Sequence, residues 1–267
     1  ASRQPTSPSC SSTSNSVGGC VREKGEGKRV FKEILARAAK DYGTPLSDEQ
    51  LAQFTRYYEL LVEWNEHVNL TAITDPEGVA VKHVIDSISA CAAAPFSDGT
   101  TVLDIGTGAG FPGLPLKLFV PAIRLTLMDS LNKRIRFLQA VTDALHLDGV
   151  TCVHARAEEA ARDQAYREQF DIVCARAVAR LPVLAEYAMP FVRLGGHLLA
   201  LKGKAFAEEA AEAKHAVKVL GGRGIDIREV HLPGLSDKRA VLCIEKAMPT
   251  PKPYPRKAGT PAKSPIL

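Results

Sequence analysis

Asp104-Ile105-Gly106-Thr107-Gly108-Ala109-Gly110-Phe111-Pro112-Gly113 is the stretch of this 267-residue chain whose residue types and spacing could most directly do chemistry. Alternating glycines let a backbone turn sharply and approach a ligand without a Cβ in the way. A helix starting just after them would point free N–H groups at the same ligand. Gly108-Ala-Gly110-Phe-Pro-Gly113 also fits G-x-G-x-x-G, the pyrophosphate fingerprint of dinucleotide enzymes, so the turn alone admits two cofactors. Its flanks favour S-adenosylmethionine (SAM). Asp104, two residues before the first glycine, suits the methionine ammonium and would repel a pyrophosphate. Phe111-Pro112 fills space where a pyrophosphate would want open amides. Asp129, 19 residues beyond Gly110, suits the ribose hydroxyls of either cofactor.

Such a turn has to sit at the end of a strand. From Gly99 onward, short apolar runs at 101–105, 123–128, 150–154, 170–175 and 197–201 read as strands. Helical patterns at 114–119, 133–145, 181–192 and 205–220 fall between or after them. That alternation predicts a parallel sheet with right-handed crossovers. The last two strands, 225–230 and 239–244, have no helix between them and read as an antiparallel hairpin. The expected fold is α/β: a doubly wound, mostly parallel seven-stranded sheet of the class I SAM-dependent methyltransferase type over residues 97–246.

A helical region is expected at 30–96. Phe31, Ile34, Leu35 and Ala38 recur at helical spacing, Ser47-Asp48-Glu49-Gln50 is a capping box, and Asp75-Pro76 opens a helix that continues to Ile88. Residues 1–29, rich in Ser, Gly and charge, read as disordered, and the basic, proline-rich residues 247–267 as an extended tail.

An apolar fraction of 45% with 24% charged residues is ordinary for a globular chain. The net charge of +4 is unevenly placed: residues 1–29 hold five Lys/Arg against two acids, residues 246–267 hold five and none. The body between is net acidic, and basic tails on such a body suit either an anionic partner or solubility alone. The six cysteines have no metal-like spacing, so no metal site is expected. No apolar run reaches the length of a membrane span and no secretory signal stands out, so a cytoplasmic, monomeric protein is expected.

The methyl acceptor is narrowed by what is missing. No Asn/Asp-Pro-Pro-Tyr/Phe and no Pro-Cys pair occurs, and no acid–base pair stands out as a general base. An acceptor whose lone pair is already free fits best, and guanine N7 is one, since positioning alone could suffice. His83 and Asp86, three apart on one helical face, read as packing or capping groups, and Asn69 as structural.

Trp64-Asn65-Glu-His-Val-Asn69-Leu70-Thr71 and His83-Val-Ile-Asp86-Ser87 resemble the N-terminal signature of the bacterial small-subunit ribosomal RNA guanine-N7 methyltransferases, also called the glucose-inhibited division protein B family. Residues 104–115, Asp129-Ser130-Leu131-Asn-Lys133-Arg134, Arg176-Ala177-Val178-Ala179, Leu201-Lys202-Gly203 and Pro255-Arg256-Lys257-Ala258-Gly259-Thr260-Pro261 extend the resemblance over about residues 30–267.

The resemblance implies SAM-dependent methylation of a guanine N7 in the decoding-region loop of 16S rRNA, as rRNA or as the small ribosomal subunit. It implies cofactor contacts at Gly106, Phe111, Asp129, Ser130, Leu131, Ala157, Glu158 and Arg176, to which the turn adds Asp104, Gly108 and Gly110. Arg176, ending the fourth strand, could hold the methionine carboxylate or fork onto the target guanine. Lys133, Arg134, Lys202 and Lys204 near the sheet edge, with Arg256 and Lys257 in the tail, are candidate RNA contacts. Two other readings stay open: a SAM-binding ribosome-assembly factor without turnover, and a methyltransferase acting on a small molecule.

Overall fold

The computed structural model describes residues 17–267. Its strands are β1 (Thr101–Ile105), β2 (Arg124–Asp129), β3 (Val150–His154), β4 (Phe170–Arg176), β5 (Val192–Lys202), β6 (Asp226–Val230) and β7 (Arg239–Glu245). They form one sheet in the order β3-β2-β1-β4-β5-β7-β6. The first five run parallel, and β7 is antiparallel to both β5 and β6. β1 is flanked by β2 on one side and β4 on the other, so the winding reverses there. In open α/β sheets that switch point is where ligands bind, at the carboxyl ends of the strands.

Helices cover both faces. One face is covered by α1 (Val17–Asp41), α2 (Asp48–Val68), α3 (residues 76–92), α4 (Gly113–Phe119) and α5 (Asn132–Ala144). The other carries α6 (Ala157–Ala160), α7 (Leu181–Ala188), α8 (Phe206–Glu212) and α9 (Lys214–Val219). β1 feeds both cores, Val102 into the first and Leu103 and Ile105 into the second, as strand alternation requires. A short C-terminal helix, α10 (Thr260–Lys263), packs against α7. No helix among the described residues is long and apolar enough to cross a membrane.

Several expectations need correction. Residues 17–29 are helical, not disordered: their Glu, Lys and Arg are good helix formers, and α1 extends over them once its apolar face is docked. Residues 1–16, also expected to be disordered, lie outside the described residues. The 205–220 helix is two, broken at Ala213, and β5 begins at Val192, upstream of its glycine pair.

The tail is docked rather than free. Arg167 donates to the carbonyls of Thr250 and Tyr254, both at 2.9 Å. The buried Lys246 ammonium donates to Met189 O at 2.6 Å and Thr250 Oγ1 at 2.7 Å. These contacts supply partners for a segment whose prolines leave it no ladder of its own.

The N-terminal helices also brace the glycine turn. The Ser47 capping box forms as expected, and Gln50 Nε2 then reaches the last carbonyls of α4, Leu118 at 3.1 Å and Phe119 at 3.2 Å. The buried Tyr57 hydroxyl donates to Ala109 O inside the turn, with its ring tilted against Phe111. Tyr57→Phe leaves that carbonyl without its donor and should cost about 1–2 kcal/mol in urea denaturation. A midpoint unchanged from wild type would mean that α2 does not support the turn.

Candidate active site

Three glycines of the turn take positive φ, Gly106 at 63°, Gly108 at 60° and Gly110 at 97°, a region that costs other residues backbone strain. Two carboxylates hold the turn in that shape. Asp104 Oδ2 accepts from the Thr107 hydroxyl at 2.6 Å and the Gly113 amide at 2.8 Å. Asp129 Oδ2 accepts from the Gly108 amide at 3.0 Å and Arg134 at 3.2 Å, and its Oδ1 from the Leu131 amide at 2.9 Å.

Asp104 is 0% exposed and lines neither of the cavities beside the turn, so it is not set to touch an ammonium directly, as its sequence position suggested. Thr107 and Gly113 draw it beneath the turn. Burial raises its pKa to about 7, against the lowering effect of those two hydrogen bonds. Its Oδ1 has no hydrogen-bond partner among the described residues.

Gly106 is exposed at the junction of two cavities. The first, about 180 Å³, is lined by Thr71, His83, Gly108, Phe111, Arg134 and Arg176. The second, about 230 Å³, is lined by Met128, Asp129, Ser130, Ala157, Glu158 and Tyr187. The sequence candidates are thus sorted rather than merged: Gly108, Phe111 and Arg176 face one side, and Asp129, Ser130, Ala157 and Glu158 the other. Gly110 is buried against Tyr57 and Leu114 and reaches neither, while Leu131 enters through its backbone hydrogen bond and leaves its side chain exposed.

A third, larger cavity of about 490 Å³ adjoins the first at His83, Arg176 and Ala177, and it is edged by Lys82, Asp86, Lys202 and Arg239. It opens over α3, whose residues Val79–Ile85 form a π-helical stretch, a feature found disproportionately at functional sites.

Arg176 stands where the first and third cavities meet. Nη1 donates to Lys82 O at 2.8 Å and Asp86 Oδ2 at 3.3 Å, Nη2 to His83 Nδ1 at 3.1 Å, and the guanidinium lies 4.9 Å from the Phe111 ring centroid. The other Asp86 oxygen meets Arg239 at 3.4 Å, so one carboxylate orients two arginines. Arg176 can only donate, so Nδ1 of His83 accepts and its proton sits on Nε2, directed at Thr71 Oγ1 at 2.9 Å. The 3.2 Å approach of Lys82 O to Nδ1 then carries no proton. Burial first, and Arg176 second, lower the His83 pKa to about 3, so the ring is neutral and already bonded at both nitrogens.

His83 and Asp86 therefore do more than pack or cap. Their spacing and Arg176 were each visible in the sequence, but the pairing between them spans ninety or more residues and left no local pattern. Arg239, at the start of a late strand, belongs to no motif.

The candidate RNA contacts divide. Lys133, Lys204 and Lys257 are exposed. Arg134 is paired with Asp129, Lys202 with Glu209 at 2.8 Å, and Arg256 with the buried Glu186 at 2.6 Å. These three are held by buried or half-buried acids of the body, so each has a structural partner already.

The two perturbed groups bend stability in opposite directions with pH. Folded His83 binds fewer protons than unfolded His between about pH 3 and 6.5, so its contribution rises with pH through that window. Folded Asp104 binds more protons than unfolded Asp between about pH 4 and 7, so its contribution falls. Urea titrations across pH 4–7 should show wild type gaining on His83→Asn and losing on Asp104→Asn as pH rises. Flat differences would refute both placements.

Comparison with known proteins shows a shared fold and a family. A Corynebacterium glutamicum protein of solved structure superposes with TM-score 0.51 at 16% identity over 79% of this chain and 95% of its own. A protein from Agrobacterium tumefaciens described as a predicted O-methyltransferase does so with TM-score 0.50 at 19% identity over 61% and 81%. At such identities the likeness shows the fold alone, the doubly wound, mostly parallel seven-stranded sheet. The ribosomal RNA small subunit methyltransferase G of Exiguobacterium sibiricum is 51% identical over 88% of this chain and 99% of its own length. The protein of that name from Staphylococcus carnosus is 49% identical over 88% and 98%. Residues 50–240 match the family described as rRNA small subunit methyltransferase G. With the glycine turn and its acidic supports inside that match, the chain belongs to the rRNA small subunit methyltransferase G family.

Proposed function

We propose that this protein methylates N7 of a guanine in the decoding-region loop of 16S rRNA, with SAM lying across Gly106 and the guanine entering the third cavity. The observation that carries the reading is the junction at Arg176, where a cavity beside the glycine turn opens into one wide enough for a nucleobase and edged by cations. SAM, when bound, supplies an electrophilic methyl group on a sulfonium.

The residues present fit that cofactor. A Cβ on Gly106, which lines both cavities beside the turn, would stand 2.8 Å from Val178 Cγ2, and its φ of 63° also favours glycine. Asp129 uses three of its roughly four acceptor positions on the protein and keeps one for a ribose hydroxyl. Ser130 and Glu158 line the adenosine side, and Arg176 with Thr71 the methionine side. Asp104 acts from below by fixing the turn.

His83, neutral and bonded at both nitrogens, is not free to take a proton from an acceptor. That suits guanine N7, which has none to give. Asp86 holds Arg176 and Arg239 at the wall of the acceptor cavity, and their remaining donors can meet O6 of the guanine. The exposed Lys133, Lys204 and Lys257 offer phosphate contacts that position the RNA without reading its sequence.

Cells lacking the protein should have 16S rRNA without the N7-methylguanine that cleavage at that base detects in wild type, and an unchanged pattern would reject the function. With purified components, Arg239→Ala should raise KM for the RNA about tenfold and leave SAM affinity unchanged. An unchanged KM would remove the third cavity as the acceptor site.

A further inference from the structure

We propose that the docked C-terminal segment is a working part of the cofactor site, positioning Glu158 against the adenosine end of SAM. The proposal rests on the reading that the second cavity holds that end.

Glu158 is the second residue of α6, buried, and lines the second cavity. Its Oε1 accepts from the Gly259 amide at 3.3 Å, a bond that crosses 101 positions of the chain. No donor among the described residues reaches Oε2 within hydrogen-bond distance. One oxygen is therefore tethered from behind, while the other remains available to an amino group in the cavity.

The tether is itself anchored. Arg256, three residues earlier, grips Glu186 through its amide at 2.7 Å, through Nε at 2.9 Å to the same oxygen, and through Nη2 at 2.6 Å to the other. Glu186 precedes Tyr187, a second residue of the same cavity wall. Arg162 donates to Pro255 O, fixing the segment just before this grip. Past it, Gly259 sits at φ 80° and leads into α10, whose Pro261 is buried. The segment thus meets the cavity wall at two places, from α6 and from α7. A flexible carboxylate would lose rotamer freedom on meeting an adenine amino group, and holding it beforehand removes that loss from binding.

Two variants break the tether while keeping the Arg256 grip. Deleting residues 258–267 removes the donor, and Gly259→Pro removes its N–H and forbids its φ. Calorimetry with SAM should give each a Kd about five- to tenfold weaker than wild type, as for loss of a hydrogen bond to a charged group. Glu158→Ala should weaken SAM binding by itself, and adding either tail change to it should weaken it little further. Such non-additivity marks a tail that acts through Glu158.

Full SAM affinity in both tail variants, with Glu158→Ala weakened, would overturn the proposal and leave the cofactor site standing. Equal losses from the tail changes with and without Glu158 would also overturn it, since the tail would then matter only to the fold. Unchanged affinity in Glu158→Ala would remove the adenosine assignment of the cavity and the proposal with it.

Discussion

Between Asp104 and Phe111 the backbone passes three times through positive φ, and that shape is unstable by itself. Glycine makes it possible, but a glycine-rich segment has more conformations to lose than any other, so it must be held from outside. The supports come from three directions: Asp104 below, Asp129 on the neighbouring strand, and Tyr57 on α2. Both cavities beside the turn, and the placing of Phe111 under Arg176, follow from this clamp. So does the packing of the N-terminal helices into the same core as the sheet, because Tyr57 can reach Ala109 only from there.

The clamp also explains the unusual state of Asp104. A carboxylate with two donors on one oxygen would ordinarily stay ionised, but full burial outweighs them. His83 is the counterpart: a buried imidazole kept neutral beside a guanidinium, serving as a fixed acceptor and donor rather than a base. Basic residues likewise serve two ends. Some neutralise buried acids inside the fold, and only the remainder face outward where a phosphate backbone could meet them.

Much of this was legible from residue types. The glycine turn, its preceding acid, the acid ending the next strand and the alternation of strands and helices are local patterns, with periods and spacings that physical rules read directly. The Ser47–Gln50 cap is another, and it forms as expected. What escaped was long-range. Asp104 reads as a ligand contact because its sequence position shows nearness to the turn but not which side of it the side chain takes. Arg256 and Lys202 read as free cations because their partners Glu186 and Glu209 are distant or sit in other elements. The proline-rich tail lacks any apolar period, so its docking through carbonyls and one glycine amide left no pattern to find.

The central claim is that the cofactor lies over the turn at Gly106, and SAM calorimetry on Gly106→Ala tests it most directly. The added Cβ meets Val178 and the φ of 63° is strained for alanine, so affinity should fall about tenfold or more while the protein keeps its cooperative unfolding. Wild-type affinity in a folded Gly106→Ala protein would contradict it.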